Sequence, residues 1–197
     1  MINSENPNKS RLEEYTELAK KSLVKVQYSC GGNSTSIDEP ERIPIVSDQL
    51  KPLNTVLYTQ AREEDVEDIV KLLKDSNLPV KDLGTGKRMF LVALAAEKLI
   101  GVVAVELYDE YGLLRSLAVN NEFRGLNVGK KLVAEAENWS RNNGLKQLYL
   151  LTTTAADFFP KLGWKTTERS SAPESIAAST EFASVCPSSA VYIMIKL

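Results

Sequence analysis

The chain has 197 residues, which suits one domain with an appendage, and its apolar content of 43% is enough to build a core. A formal charge of −2 gives no global basic field to recruit nucleic acid or anionic lipid, so neither is expected as a partner. Histidine is absent, which excludes Ser-His and Cys-His nucleophile systems and any zinc site that needs imidazole.

The first segment, 1–53, reads as an extension. Ser10 and Glu13 have capping-box spacing, and Leu12, Tyr15, Leu18, Ala19, Leu23 and Val26 repeat at helical period, which predicts a helix over about 10–27. This one-faced helix is expected to cap the domain, support a homodimer or stay mobile, with docking preferred. SCGGNSTSIDEPERIP follows and reads as a linker, rich in Gly, Ser, Asn and Pro. The polar start MINSENPNKS lacks the apolar core of a secretory signal, and the apolar run Ile100–Leu107 is too short to cross a bilayer. A cytoplasmic protein with no membrane partner is the expectation. Cys30 and Cys186 make neither a disulfide framework nor a CxxC site.

Residues 54–197 read as a single domain. TVLYTQA predicts a strand. REEDVEDIVKLLKDSNLP predicts a helix whose apolar side is Val66, Ile69, Val70, Leu72 and Leu73. KRMFLVALAAEKLIGVVAVELYDEYGLLRSLAV predicts three strands, with turns at Glu97-Lys98 and Asp109-Glu110-Tyr111-Gly112. NVGKKLVAEAENWSRNNG predicts a helix with Leu132, Val133, Ala136 and Trp139 inward and Gly144 at its end. LKQLYLLTTTA then predicts a strand, ADFFPKLG a short helix, WKTTE a strand, PESIAASTEFASV a helix opened by Pro173, and SAVYIMIKL a closing strand. The order implies an α/β (α+β) domain: a mixed sheet of about six to seven strands flanked by helices, with an N-terminal helical extension.

RGLNVGKK, Arg124 to Lys131, has the composition of a phosphate grip. A Walker loop needs G-x-x-x-x-G-K-[S/T]; here Gly125 to Gly129 is one residue short, and Lys131 stands where the hydroxyl should be. The G-x-G-x-x-G dinucleotide rhythm is absent too. What remains is a strand, a short loop and a helix whose first N–H groups lack intrahelical partners and carry the positive end of the dipole. A pyrophosphate can sit there, with Gly125 and Gly129 admitting the backbone, Asn127 tolerating left-handed geometry, and Arg124 and Lys130 adding charge. An ordinary strand-to-helix connection with exposed basic residues is the other reading.

The loop, the strand before it and the element order resemble the GNAT superfamily of acetyl-CoA-dependent N-acetyltransferases over roughly Asn54 to Leu197. The family motif [R/Q]-x-x-G-x-[G/A] reads here as Arg124, Gly125, Leu126, Asn127, Val128, Gly129, with Asn127 replacing the middle glycine. DFFPKLGW resembles the family's F-[FY]-x-x-[LF]-G-[FW] ending. LLRSLAV, LLTTTAADFF and the C-terminal stretch resemble the arsenic-resistance N-acetyltransferase branch more closely. The resemblance implies acetyl-CoA as cosubstrate, with no metal. Leu117, Ala118 and Val119 would pair with the pantetheine arm, and Arg124, Gly125, Leu126, Asn127, Val128, Gly129 and Lys130 would hold the pyrophosphate. Asp157, Phe158 and Lys161 would lie on the far side of the cofactor. The strands LLRSLAV and QLYLLTTTA would splay around the thioester.

Acetyl transfer to an amine needs a neutral nucleophile, yet an alkyl ammonium is neutral only about once in a few thousand molecules at pH 7. With no histidine, Glu106 at the end of IGVVAVE is the candidate base; the competing reading pairs it structurally with Arg115. Arg115 and Ser116 are candidate substrate contacts, of which strand alternation lets only one face the cleft. Thr153, among Thr152–Thr154, is a further candidate, although β-branched residues suit a strand on their own account. Phe158-Phe159 stands where many relatives carry a proton-donating tyrosine; water, or Tyr149 if its strand faces that way, would replace it, and the competing reading of Tyr149 is a core or surface residue. A lone Cys186 reads as a small apolar residue rather than a metalloid ligand. The expected function is acetylation of a small-molecule amine. A non-catalytic CoA-binding module is the rival, and a nucleotide-binding protein the third reading.

Overall fold

The computed structural model of the chain describes residues 56–84 and 86–197. The helix expected over about 10–27 and the linker after it lie outside the described residues. The strands are β1 (Val56–Gln60), β2 (Arg88–Ala95), β3 (Lys98–Tyr108), β4 (Tyr111–Val119), β5 (Gln147–Thr152), β6 (Lys165–Thr166) and β7 (Val191–Lys196). The helices are α1 (Val66–Asp75), α2 (Val128–Asn142) and the single turn α3 (Glu174–Ala177). One seven-stranded sheet runs β1-β2-β3-β4-β5-β7-β6, antiparallel except where β4 meets β5. The α/β expectation therefore holds, with helices on both faces.

Periodicity explains the layers. On α1, Val66, Ile69, Val70, Leu72 and Leu73 are all buried, against Phe90, Val92, Val102 and Ala104 on one sheet face. On α2, Leu132, Val133 and Ala136 pack on the opposite face against Met89, Leu91, Val103 and Val105. Trp139 is only partly buried, and Ser140 completes the inner face by donating its hydroxyl to the Ala136 carbonyl at 2.7 Å. Gly101 sits under α2, where a Cβ would come within 2.9 Å of Leu132 Cδ1. The helix axis thus lies as close to the sheet as a missing side chain permits.

Several boundaries differ from the sequence reading. The β2–β3 turn is Ala96-Glu97, both left-handed (φ 47° and 63°), and Lys98 already belongs to β3. Tyr111 and Gly112 are the first residues of β4 rather than turn residues. ADFFPKLG forms only a 3₁₀ turn over Pro160–Leu162, because Pro160 denies an amide donor and Gly163 turns left-handed (φ 90°). PESIAASTEFASV breaks into α3 and a π-helical turn at Glu181–Val185.

Candidate active site

β4 and β5 pair only at Tyr111 with Gln147, Gly112 with Leu148 and Leu113 with Tyr149. The closed end is tight: a Cβ on Gly112 would sit 2.6 Å from Leu148 Cδ2. Past Leu113 the strands separate. The opening is reinforced by a bulge in β4, where Ser116 and Leu117 together face the single residue Val103 of β3, with Ser116 left-handed at φ 55°.

Two joined cavities fill the V. The larger, about 680 Å³, runs along Leu117, Ala118 and Val119 to Arg124, Gly125 and the start of α2. The smaller, about 130 Å³, is lined by Leu114, Arg115, Ser116, Leu150, Thr152 and Glu181, among others. They share Leu78, Leu117, Thr154 and Ala155.

The loop between β4 and α2 is held from both ends. Asn120 caps a 3₁₀ turn by accepting from the Glu122 N–H (3.1 Å), and Arg124 Nε donates to the Val119 carbonyl (3.1 Å). Gly125 (φ 79°) and Asn127 (φ 62°, ψ 8°) turn left-handed, and the first helical bond runs from the Lys131 N–H to the Asn127 carbonyl at 3.0 Å. The N–H groups of Val128, Gly129 and Lys130 precede that bond, at the positive end of a 15-residue helix. The protein itself leaves room for a Cβ at Gly129, which would meet only Val119 Cγ2 (3.6 Å) and Phe158 Cζ (3.8 Å) at ordinary contact distance. The glycine instead leaves backbone exposed to the groove.

The structure gathers most of the loop residues named from sequence and separates others. Leu117, Ala118, Val119, Arg124, Gly125, Asn127, Val128, Gly129, Lys130 and Phe158 line the larger cavity. Leu126 does not; it is 55% exposed. Asp157 and Lys161 are exposed and line neither cavity, because the segment expected to be helical is a turn that points them outward. Thr153 is also exposed and off both cavities, whereas Thr152 and Thr154 line them. Arg115 and Ser116 both line the smaller cavity, which corrects the expectation that only one would: the bulge breaks strand alternation there. Tyr149 is buried on the α1 side, stacked on Tyr192 with ring centroids 5.4 Å apart, and lines neither cavity.

Glu106 lies beneath the site rather than in it. On adjacent strands, Arg88, Glu106 and Arg115 share one face, and Glu106 Oε2 is 2.9 Å from Arg88 Nη2 and 3.3 Å from Arg115 Nη1. Its Oε1 accepts from the Tyr108 hydroxyl at 2.9 Å and is covered by Gly86, where a Cβ would come within 2.6 Å. Burial, then the neighbouring Glu106 charge, push the Tyr108 hydroxyl pKa well up. Arg115 Nη1 also meets Asp82 Oδ2 at 2.5 Å and Glu181 Oε2 at 2.8 Å. Arg88 Nη1 donates to the Asp82 carbonyl at 2.7 Å. The guanidinium offered from sequence for an anionic substrate group is thus already surrounded by carboxylates.

Glu181 escaped the sequence reading. It belongs to the π-helical turn and is only 9% exposed, yet it lines the smaller cavity. Burial pushes its carboxyl pKa up, against the lowering effect of Arg115. Cys186 Sγ lies 3.6 Å from Glu181 Oε1, and burial with that negative neighbour pushes the thiol up to about 11. The sequence offered no signal for Glu181: it sits in a segment read as one amphipathic helix, 66 residues from Arg115 in sequence.

The family model for the acetyltransferase (GNAT) domain matches residues 86–166, from the start of β2 through β6. An acetyltransferase of the GNAT family from Staphylococcus aureus Mu50 superposes with a TM-score of 0.60 at 16% identity, over 73% of this chain and 99% of that one. The fold is that of the GNAT acetyltransferases. N-acetylglutamate synthase of Neisseria gonorrhoeae, solved with coenzyme A and N-acetyl-glutamate, has the same GNAT core (TM-score 0.62, 19% identity, 73% of this chain and 35% of that one). So has a Mycobacterium tuberculosis protein solved with CoA (TM-score 0.62, 22% identity, 72% of this chain and 99% of that one). In sequence, an uncharacterized N-acetyltransferase of Chlorobaculum tepidum is 34% identical over 90 residues, 45% of this chain. The match spans 57% of that relative's length. The GNAT match ends before α3 and the Glu181 turn, so Glu181 lies outside the segment the family model describes, whereas Leu114–Leu117, Leu150–Thr152 and Phe159 of the smaller cavity lie within it. No helix among the described residues is long and apolar enough to cross a membrane.

Proposed function

We propose that the chain is an acetyl-CoA-dependent N-acetyltransferase acting on the amine of a small molecule. The observation that carries this reading is the continuous path from the α2 N-terminus, through the larger cavity, to the V between β4 and β5. The pyrophosphate would rest on the N–H groups of Val128, Gly129 and Lys130, with Arg124 and Lys130 adding charge at the rim. The backbone edge of Leu117–Val119 that faces away from β3, where β5 has already diverged, would hold the pantetheine arm as an added strand. The thioester would then reach the joint between the two cavities, at Leu117 and Thr154, with the amine entering from the smaller one. The CoA complexes of the Neisseria and Mycobacterium proteins on the same fold support this placement.

Attack by a neutral amine forms the C–N bond, and the C–S bond then breaks to release a thiolate. Phe158 faces the groove and cannot protonate that thiolate, but a thiol with a pKa near about 8.5 leaves without help from a strong acid. The same Phe158 favours a second reading, a CoA-binding module without turnover. Within the proposal, the protein works in the cytoplasm on a small amine rather than on nucleic acid or membrane. The branch resemblance adds amine-bearing organoarsenicals to the acceptors worth testing, and the N-terminal segment is offered as a dimer or docking element. The test is a thermal shift with acetyl-CoA followed by thiol release over an amine panel. Stabilisation with thiol release is expected; stabilisation with no acetylated product would favour the module, and no stabilisation at millimolar acetyl-CoA would refute both.

A further inference from the structure

The smaller cavity has a chemistry of its own. Most of its wall is apolar, from Pro79, Leu114, Leu150, Leu151 and Phe159, and its charged lining residues are Arg115 and Glu181. Behind that wall, Asp82, Glu106 and Glu181 surround Arg88 and Arg115, which leaves one negative charge in excess inside the domain. Arg88, Glu106 and Asp82 are buried and line neither cavity, so Glu181 is the carboxylate through which that excess meets a bound molecule. Arg115, 5% exposed, also has an Nε donor with no partner among the described residues. Glu181 is placed by a turn with its own supports: the Cys186 N–H donates to its carbonyl at 2.9 Å, and the Phe182 N–H to Ser179 Oγ at 3.2 Å. The π-helical turn is a geometry that recurs at functional sites.

We propose that Glu181 is the acceptor-side carboxylate, which binds the cationic amine in the smaller cavity, takes its proton, and with the excess charge behind it selects amines lacking an adjacent anionic group. This deepens the acetyl-transfer reading and rests on it. The ammonium N–H bond breaks and its proton passes to Glu181, which later releases it to solvent. The freed lone pair forms the C–N bond at the thioester carbonyl, and the C–S bond breaks with its electron pair on sulfur. The second nitrogen proton ends on the thiolate, giving amide and free thiol. The groups facing Glu181 are Arg115 from β4, Asp82 from the loop after α1, Glu106 from β3 and Cys186 from its own turn. Burial holds the Glu181 carboxyl above the usual carboxylate range. The base is therefore lost, and kcat/KM falls, as pH drops through that raised value.

The test uses the full chain with acetyl-CoA and three matched acceptor sets: aliphatic amines, arylamines already neutral at pH 7, and amino acids. Wild type is expected to prefer aliphatic amines to amino acids at least tenfold and to show the acid limb. Glu181→Gln should lose roughly 100-fold or more with aliphatic amines, lose less than tenfold with arylamines, abolish the acid limb, and keep the acetyl-CoA thermal shift. Glu181→Asp should retain the limb at reduced rate. Equal losses on both amine classes, or a wild-type preference for amino acids, would overturn the assignment while leaving acetyl transfer intact. Acetyl-CoA binding with no acetylation by wild type would overturn the transfer reading and this one with it. If Glu181→Gln does not fold, the acceptor preference and pH limb of wild type and of Glu181→Asp decide.

Discussion

Replacing Glu106 by Gln separates structure from catalysis at the one carboxylate the sequence nominated as base. Glu106 Oε2 faces Arg88 at 2.9 Å, and Arg88 is fully buried at 0% exposure. Removing one partner of a buried ion pair costs about 3–5 kcal/mol. Here the loss is softened: Arg115 keeps Asp82 and Glu181, and Arg88 keeps the Asp82 carbonyl. Gln also retains an acceptor for the Tyr108 hydroxyl. The expected destabilisation is about 2–3 kcal/mol, or a Tm drop of about 6–10 °C for a domain of this size. Urea unfolding should show a lower midpoint at unchanged slope. In the folded fraction kcat should stay within about threefold, since a residue outside both cavities makes no transition-state contact. An unchanged urea midpoint with a 100-fold fall in kcat would refute this reasoning and return the base to Glu106.

Two further outcomes follow from local geometry. Gly129→Ala should keep or raise Tm, because the added Cβ meets only ordinary contacts and alanine favours the helix over glycine, yet weaken acetyl-CoA at least about tenfold by calorimetry; unchanged affinity would remove the phosphate from the α2 N-terminus. In a Cys30→Ser background, Cys186 should alkylate at pH 8 roughly tenfold or more slowly than free cysteine, its pKa pushed up to about 11; labelling at the free rate would contradict the Glu181 contact.

The legible parts of the sequence were those with a local physical signature. The α1 face from Val66 to Leu73 and the Gly125-Asn127-Gly129 rhythm announce themselves by period and by backbone demand, and the structure places them as read. Arg115 and Ser116 were misjudged because alternation assumes an unbroken strand; the bulge opposite Val103 depends on pairing that one strand does not encode alone. Asp157 and Lys161 come from motif position and Thr153 from a run of three threonines at a strand end, and neither says which way a turn points. Glu181 was invisible because its neighbours Arg115 and Asp82 come from distant segments, and only tertiary packing brings them within ion-pair distance.

Mass spectrometry of a reaction of the protein with acetyl-CoA and an amine mixture, read beside free-thiol release, tests the central claim most directly. One or more acetylated small amines are expected in stoichiometric step with thiol, and loss of both in Gly129→Ala at limiting acetyl-CoA. No acetylated product and no thiol above the protein-free control, at millimolar acetyl-CoA, would contradict it.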